Sequence, residues 1–233
     1  MSPTATGAVL AVLLGLLYLG RTRRFYFVRH GETILNAEHV KQGAEGGLSE
    51  LGKHQAVLVG ARLAPLGIQK ILSSPYERAQ ETVAIINARL NVPVAYSPLL
   101  AERRNPSDVI GKDRDDPLVA RIVDQVDLSY HADDFRHADE ENFIDLKKRA
   151  RKCLLYLILN SHTRTCVITH HAFLKMLLSY MLYREELHVR GLVKLSFFNT
   201  SDNGGVSVCE FRPWQLLSRT RGWSVVSYNE QPN

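Results

Sequence analysis

Apolar residues fall along this chain in short blocks whose spacing alternates between strand and helix. The first, "RFYFVR", is a brief apolar run that leads into Arg29-His30-Gly31, the pattern of a central parallel strand with polar groups at its C-terminal end. A long loop then reaches "GLSELGKHQAVLVGARLAPLG", where Ser49 is placed to cap a helix running through Leu63 and Gly67 to stop it. "QKILSS" predicts a second strand. Pro75 opens a helix over "YERAQETVAIINARL", with Ala79, Val83 and Ile86 on one face. "VPVAYS" predicts a third short strand, and the polar stretch from Arg103 to Glu140, with Pro106 and Pro117 and weak periodicity, reads as a lid or irregular insert.

Further along, "ENFIDLKKRARKCLLYLIL" reads as a helix, "RTCVITHH" as a β-branched strand ending in His170 and His171, and "AFLKMLLSYML" as a buried helix. The tail "KLSFFNTSDNGGVSVCEFRPW" has two alternating runs around Asn203-Gly204, and with "GWSVVSYN" it predicts an antiparallel meander. Together these elements predict an α/β fold, a three-layer α/β/α architecture with a mixed, mostly parallel sheet.

A chain of 233 residues suffices for one such domain with a sizeable core, assigned here to residues 25–233. The formal charge of +5 is scattered, and no basic run interleaved with aromatics marks a nucleic-acid groove. The stretch Lys147 to Lys152, "KKRARK", reads as a solvated helix face. Cys153, Cys166 and Cys209 are odd in number, unrelated in spacing and set in apolar segments, as buried thiols of a reducing compartment would be. Residues 1–24 form a separate apolar and basic segment. Residues 7 to 20 carry no charge, and Arg21, Arg23 and Arg24 follow, so the segment reads as a membrane anchor with the domain on the cytoplasmic side. The alternative is a soluble cytoplasmic protein with an upstream extension. Oligomeric state is not legible.

Polar groups recur at the predicted strand ends: Arg29-His30-Gly31, Ser74 with Arg78 just inside the next helix, and His170. In open α/β sheets such ends converge on the ligand crevice. Two arginines with two histidines make a cationic pocket that suits a dianionic phosphate, since guanidinium forks bind it bidentately. Adjacent His170 and His171, read as consecutive strand residues, would point to opposite faces and could not share one ion, so no metal site is expected.

At these residues the chain resembles the histidine phosphatase superfamily, the phosphoglycerate mutase-like proteins. Arg29-His30-Gly31-Glu32-Thr33 is similar to its R-H-G-E/T signature, and "SSPYERAQET", "LLAER", "VITHHAF" and "WSVVSYN" resemble its later elements in the same order, from Phe25 to Asn229. The resemblance implies that His30 is a nucleophile forming a phosphohistidine, that Glu102 donates the proton to the leaving group, and that His170 is a further donor to the phosphate. It also implies a small phosphorylated substrate held by Arg29, Arg78 and Asn36, with no cofactor and no metal. Arg29 and Arg78 would lower the His30 pKa and keep its imidazole neutral for attack. A substrate dianion would raise that of Glu102. Gly31 would allow close backbone approach to the phosphate. Thr33 would sit at the entrance or merely cap a helix. His171 stands where family members often have glycine, and a register in which His171 takes the place of His170 is open.

The leading expectation is thus a phosphomonoester hydrolase. A phosphoglycerate mutase-type transfer and a non-catalytic phospholigand-binding module are the alternatives. In the insert, Arg103, Arg104 and Lys112 hint at an acidic leaving group, and Tyr130 and Phe135 at stacking on a ring.

Overall fold

The computed structural model describes residues 20–127, 133–195 and 201–232. Six strands form one sheet: β1 (Arg23–Arg29), β2 (Lys70–Ser73), β3 (Val94–Tyr96), β4 (Arg164–Thr169), β5 (Val206–Phe211) and β6 (Trp223–Glu230). The order is β3-β2-β4-β1-β5-β6. The first four run parallel, while β5 and β6 are antiparallel to their neighbours. The expected mixed sheet is therefore present, and its layers follow from the pleat of β1. Phe25 and Phe27 pack with helices α5 (Phe143–Asn160) and α6 (His171–Tyr183) on one face. Tyr26 and Val28 pack with α2 (Glu50–Leu63) and α3 (Glu77–Leu90) on the other.

Local signals account for most boundaries. The Ser49 hydroxyl accepts from Gly52 N–H at 3.0 Å and starts α2, and Gly67, at φ 63°, ends the 3-10 turn that follows it. Ala79, Val83 and Ile86 are buried on α3 as the spacing predicts. Two elements differ from expectation, and a third falls mostly outside the described residues. The insert holds a helix, α4 (Pro117–Asp127), whose start is fixed by the Asp116 carboxylate accepting from Leu118 N–H at 2.8 Å. Lys194, where the first run of the predicted meander begins, ends a short helix, α7 (Val189–Lys194), and the rest of that run, in residues 196–200, lies outside those described. His170 and His171 leave the strand altogether: His170 is the N-cap of α6 and His171 its first residue. A four-residue helix, α1 (Ile34–Ala37), completes the set.

The membrane expectation is corrected. Among the described residues no helix is long and apolar enough to cross a membrane, and two of the three arginines that gave the N-terminal run its basic flank belong to the sheet. Arg23 is 4% exposed and donates to the Ile158 carbonyl, while Arg24 donates to Glu210 across β1 and β5 at 3.0 Å. Their place in the sequence follows from strand pairing. The run itself, through residue 19, lies outside the described residues, as does Tyr130. All three cysteines are buried free thiols, and burial pushes the Cys166 thiol up to about 12.

Candidate active site

Strands β1 and β4 are adjacent and in register, with Arg29 opposite Thr169. The next residue on each strand is a histidine, and His30 N–H donates to the Thr169 carbonyl at 3.1 Å. The chain then leaves the two strands in opposite directions across the sheet, β1 toward β2 and β4 toward β5. The two connections cross on opposite faces of the sheet, and a change of direction at adjacent strand ends marks the crevice at that sheet edge. The parallel ladder thus brings the rings of His30 and His170 to 4.9 Å between centroids.

His30 is 4% exposed. Its Nδ1 lies 2.7 Å from the Gly31 carbonyl oxygen, which can only accept, so Nδ1 carries the proton and Nε2 keeps its lone pair. Burial first, and the Arg78 and Arg29 guanidiniums second, hold this imidazole well below its ordinary value of 6.5. The sequence reading named the cations; the larger cause is the sheet that encloses the ring. His170 is fully buried and depressed in the same direction, by burial and then by His30 and Arg78. Its Nδ1 accepts from Arg78 Nε at 3.3 Å, leaving Nε2 to donate to the Ser74 hydroxyl at 2.7 Å.

Arg78 is held on three sides. It donates to His170 and to the Gly43 carbonyl at 2.9 Å, and its own carbonyl accepts from the Thr82 hydroxyl, which in turn accepts from Gly31 N–H at 3.2 Å. Arg29 donates to the Ser201 carbonyl. Burial lowers both arginines from their ordinary value. Asn203, in a turn that pairs back onto β1, donates to the His30 carbonyl at 3.0 Å. The Asn203-Gly204 dipeptide signalled the turn, but nothing local signalled that it would hold the strand end of His30.

A cavity of about 370 Å³ opens over these groups. Arg29, His30, Asn36, Arg78, Glu102 and His171 line it together with Lys41, Gln42, Arg103, Asn105, Arg114 and Lys175. Six of the nine residues singled out from the sequence therefore meet at one cavity. The other three do not line it. His170 lies behind the wall against His30 and Arg78. Thr33 is fully buried and caps α1, accepting from Asn36 N–H at 3.0 Å. Gly31 faces α2: a Cβ there would meet the Gly52 carbonyl oxygen at 2.4 Å, and one on Gly52 would meet the Glu32 oxygen at 1.9 Å. The close approach that Gly31 permits is to a helix backbone. Glu32 serves the same junction, accepting from the Ser49 hydroxyl at 2.8 Å.

Glu102 follows a 3-10 turn and meets the start of α6. Its carboxylate accepts from Arg103 N–H at 2.8 Å, Phe173 N–H at 3.0 Å and Ala172 N–H at 3.2 Å. Arg29 Nε, Asn36 Oδ1 and His171 Nδ1, near the cavity, are buried and have no hydrogen-bond partner among the described residues. Buried polar atoms are almost always paired, so orphans at a cavity point to a polar ligand. His171 is held below its ordinary value by burial and by Arg29. Among the described residues no group of three His, Cys, Asp or Glu side chains is arranged to hold a metal ion. The site can thus offer a neutral imidazole nitrogen, two fixed guanidiniums and a carboxyl group to one anionic ligand.

Comparison with known proteins shows the family and the fold. Residues 25–225 match the histidine phosphatase superfamily, branch 1. The chain is 31% identical over 160 residues to the probable phosphoglycerate mutase GpmB of Erwinia tasmaniensis, covering 67% of this chain and 74% of that one. It is 37% identical over 82 residues to a probable phosphatase of Schizosaccharomyces pombe, a match spanning 34% of this chain and only 39% of the yeast protein. Among solved structures, a mycobacterial glucosyl-3-phosphoglycerate phosphatase in complex with VO3 superposes with a TM-score of 0.72 at 22% identity, over 89% of this chain and 99% of that one. Mycobacterial hydrolase 1 gives 0.74 at 21%, over 91% and 100%. At such identities the likeness establishes the fold. The chain belongs to the histidine phosphatase superfamily.

Proposed function

We propose that the protein hydrolyses a small phosphomonoester through a phosphohistidine on His30, without a metal ion. One observation carries this reading: a buried imidazole with Nδ1 committed to the Gly31 carbonyl and its pKa held down by burial, at a cavity that also exposes Arg29 and Arg78. Nε2 of His30 attacks phosphorus as the bond to the leaving oxygen breaks. The two guanidiniums and Asn36 offset charge on the equatorial oxygens. Glu102, in its acid form, gives its proton to the leaving oxygen. Water then attacks phosphorus, the P–N bond breaks, and Glu102 takes the proton that water loses. His170 acts from behind the wall, orienting Arg78 and supporting the His30 ring. His171, with Arg103, Asn105, Arg114 and Phe135 from the insert, faces the leaving group.

Phosphate release by the full chain from p-nitrophenyl phosphate at mildly acidic pH tests the reading. His30→Ala should lower it on the order of 10⁴-fold. No release from a broad panel of phosphoesters would contradict it in favour of a phospholigand-binding module. The match to a probable mutase over two thirds of the chain supports a second reading, in which a substrate hydroxyl replaces water. Interconversion of 2- and 3-phosphoglycerate faster than phosphate release would favour it.

A further inference from the structure

We propose that Arg149, locked to Glu141, is the positioning residue for the Glu102 carboxyl group; this rests on Glu102 being the proton donor proposed above. The side chains of Arg149 and Glu141 are each 15% exposed, far from the solvated helix face that "KKRARK" suggests. Arg149 Nε and Nη2 donate to the two Glu141 oxygens at 2.6 Å each, a bidentate pair that fixes the guanidinium plane. The remaining donors are spent on the loop that carries Glu102. Nη1 donates to the Ala101 carbonyl at 2.7 Å and the Leu99 carbonyl at 3.2 Å, and Nη2 donates to the carbonyl of Glu102 itself at 3.2 Å. The guanidinium also lies 4.0 Å over the Phe173 ring. Phe173 is the residue whose N–H holds Glu102 Oε1, so Arg149 braces both the backbone of Glu102 and the helix turn that grips its carboxylate.

Arg149 does not line the cavity over His30. It borders a shallower one on the other side of Glu102 with Tyr76 and Arg104, so its part is to hold the carboxyl in place from behind. Proton transfer needs a donor within hydrogen-bond reach of the leaving oxygen, and a displacement of about 1 Å can cost on the order of 10²-fold.

The test uses the full chain and two aryl phosphates of nearly equal size, phenyl phosphate, whose phenolate needs a proton to leave, and p-nitrophenyl phosphate, whose phenolate does not. Arg149→Lys keeps the charge and loses the fork. It should lower kcat/KM for phenyl phosphate about tenfold and for p-nitrophenyl phosphate about twofold or less, a roughly fivefold fall in the ratio. Because both substrates are read on one preparation, the ratio does not depend on the folded fraction, and Glu141→Gln should lower it in the same direction. Glu102→Gln should lower the ratio at least as far, and adding Arg149→Lys to it should change the ratio no further. Equal losses on both substrates in Arg149→Lys, beside a lowered ratio in Glu102→Gln, would overturn the positioning role alone. An unchanged ratio in Glu102→Gln would overturn the proton-donor reading and the positioning role with it.

Discussion

The floor and the rim of the cavity are built by different means. The floor is set by strand ends: His30 follows β1 and lines the cavity, while Ser74 after β2 and His170 after β4 support it from behind, each placed by a parallel ladder whose register leaves little freedom, and each no more than 4% exposed. Part of the rim is made of loops, residues 38–48 and 103–116, joined by a few backbone bonds such as Lys41 N–H to the Lys112 carbonyl at 2.8 Å and Arg114 N–H to the His39 carbonyl at 2.9 Å. Its ion pair between His39 and Asp115 is open to water, with side chains 66% and 75% exposed. Chemistry needs fixed atoms, and the sheet supplies them. Selectivity can vary on loops without disturbing that frame.

After His30→Ala, the largest expected effect tests the floor at Arg78, which is held against His170. Arg78→Ala should lower kcat/KM for p-nitrophenyl phosphate by about 10²- to 10³-fold, since it removes both the proposed phosphate contact and the donor to His170. Arg78→Lys should recover only part of this, because an ammonium cannot reproduce the fork. Next comes a glycine pair. Gly52→Ala drives a Cβ into the backbone of the residue after Gly31, with the Glu32 oxygen 1.9 Å away, and should lower unfolding free energy in urea by about 3 kcal/mol. On the rim, a Cβ on Gly111 meets nothing within 4 Å, and only its φ of 78° resists substitution. Gly111→Ala should cost about 1 kcal/mol.

Acidification gives a graded test. His30 and His170 both have folded-state pKa values depressed below the ordinary 6.5, so the unfolded chain binds the extra protons. Their contribution to stability is complete above about 6.5 and is lost as pH falls below it toward the folded values, at up to about 1.4 kcal/mol per pH unit for each histidine. Urea unfolding between pH 7 and pH 5 should show this slope, and His170→Gln should flatten it. The smallest effect belongs to the exposed rim pair: Asp115→Asn should change stability by less than about 0.5 kcal/mol.

Much of the floor was legible because its signals are local. A short apolar run before Arg29-His30-Gly31, a cap at Ser49 and a stop at Gly67 each depend on a few neighbouring residues. The helix α4 was legible in principle, with Asp116 before Pro117 and Val119, Ile122, Val123 and Val126 at helical spacing, but its polar surroundings hid it. Arg149 carried a signal too. It falls three residues after Leu146 and four before Cys153, on the stripe that α5 buries, though its charged neighbours made it look solvated. Other features were not local at all. That His170 lies behind the wall while His171 lines the cavity depends on where β4 ends and α6 begins, and a boundary of one residue decides it. The use of Arg23 and Arg24 by the sheet depends on partners more than a hundred residues away, so a basic flank read from sequence alone was misassigned.

The most direct test of the account is to quench the full chain during turnover of a ³²P-labelled phosphomonoester and locate the label. The account predicts an acid-labile, base-stable phosphoramidate on His30 that is absent from His30→Ala. Label on another residue, or none at all while phosphate is being released, would contradict it.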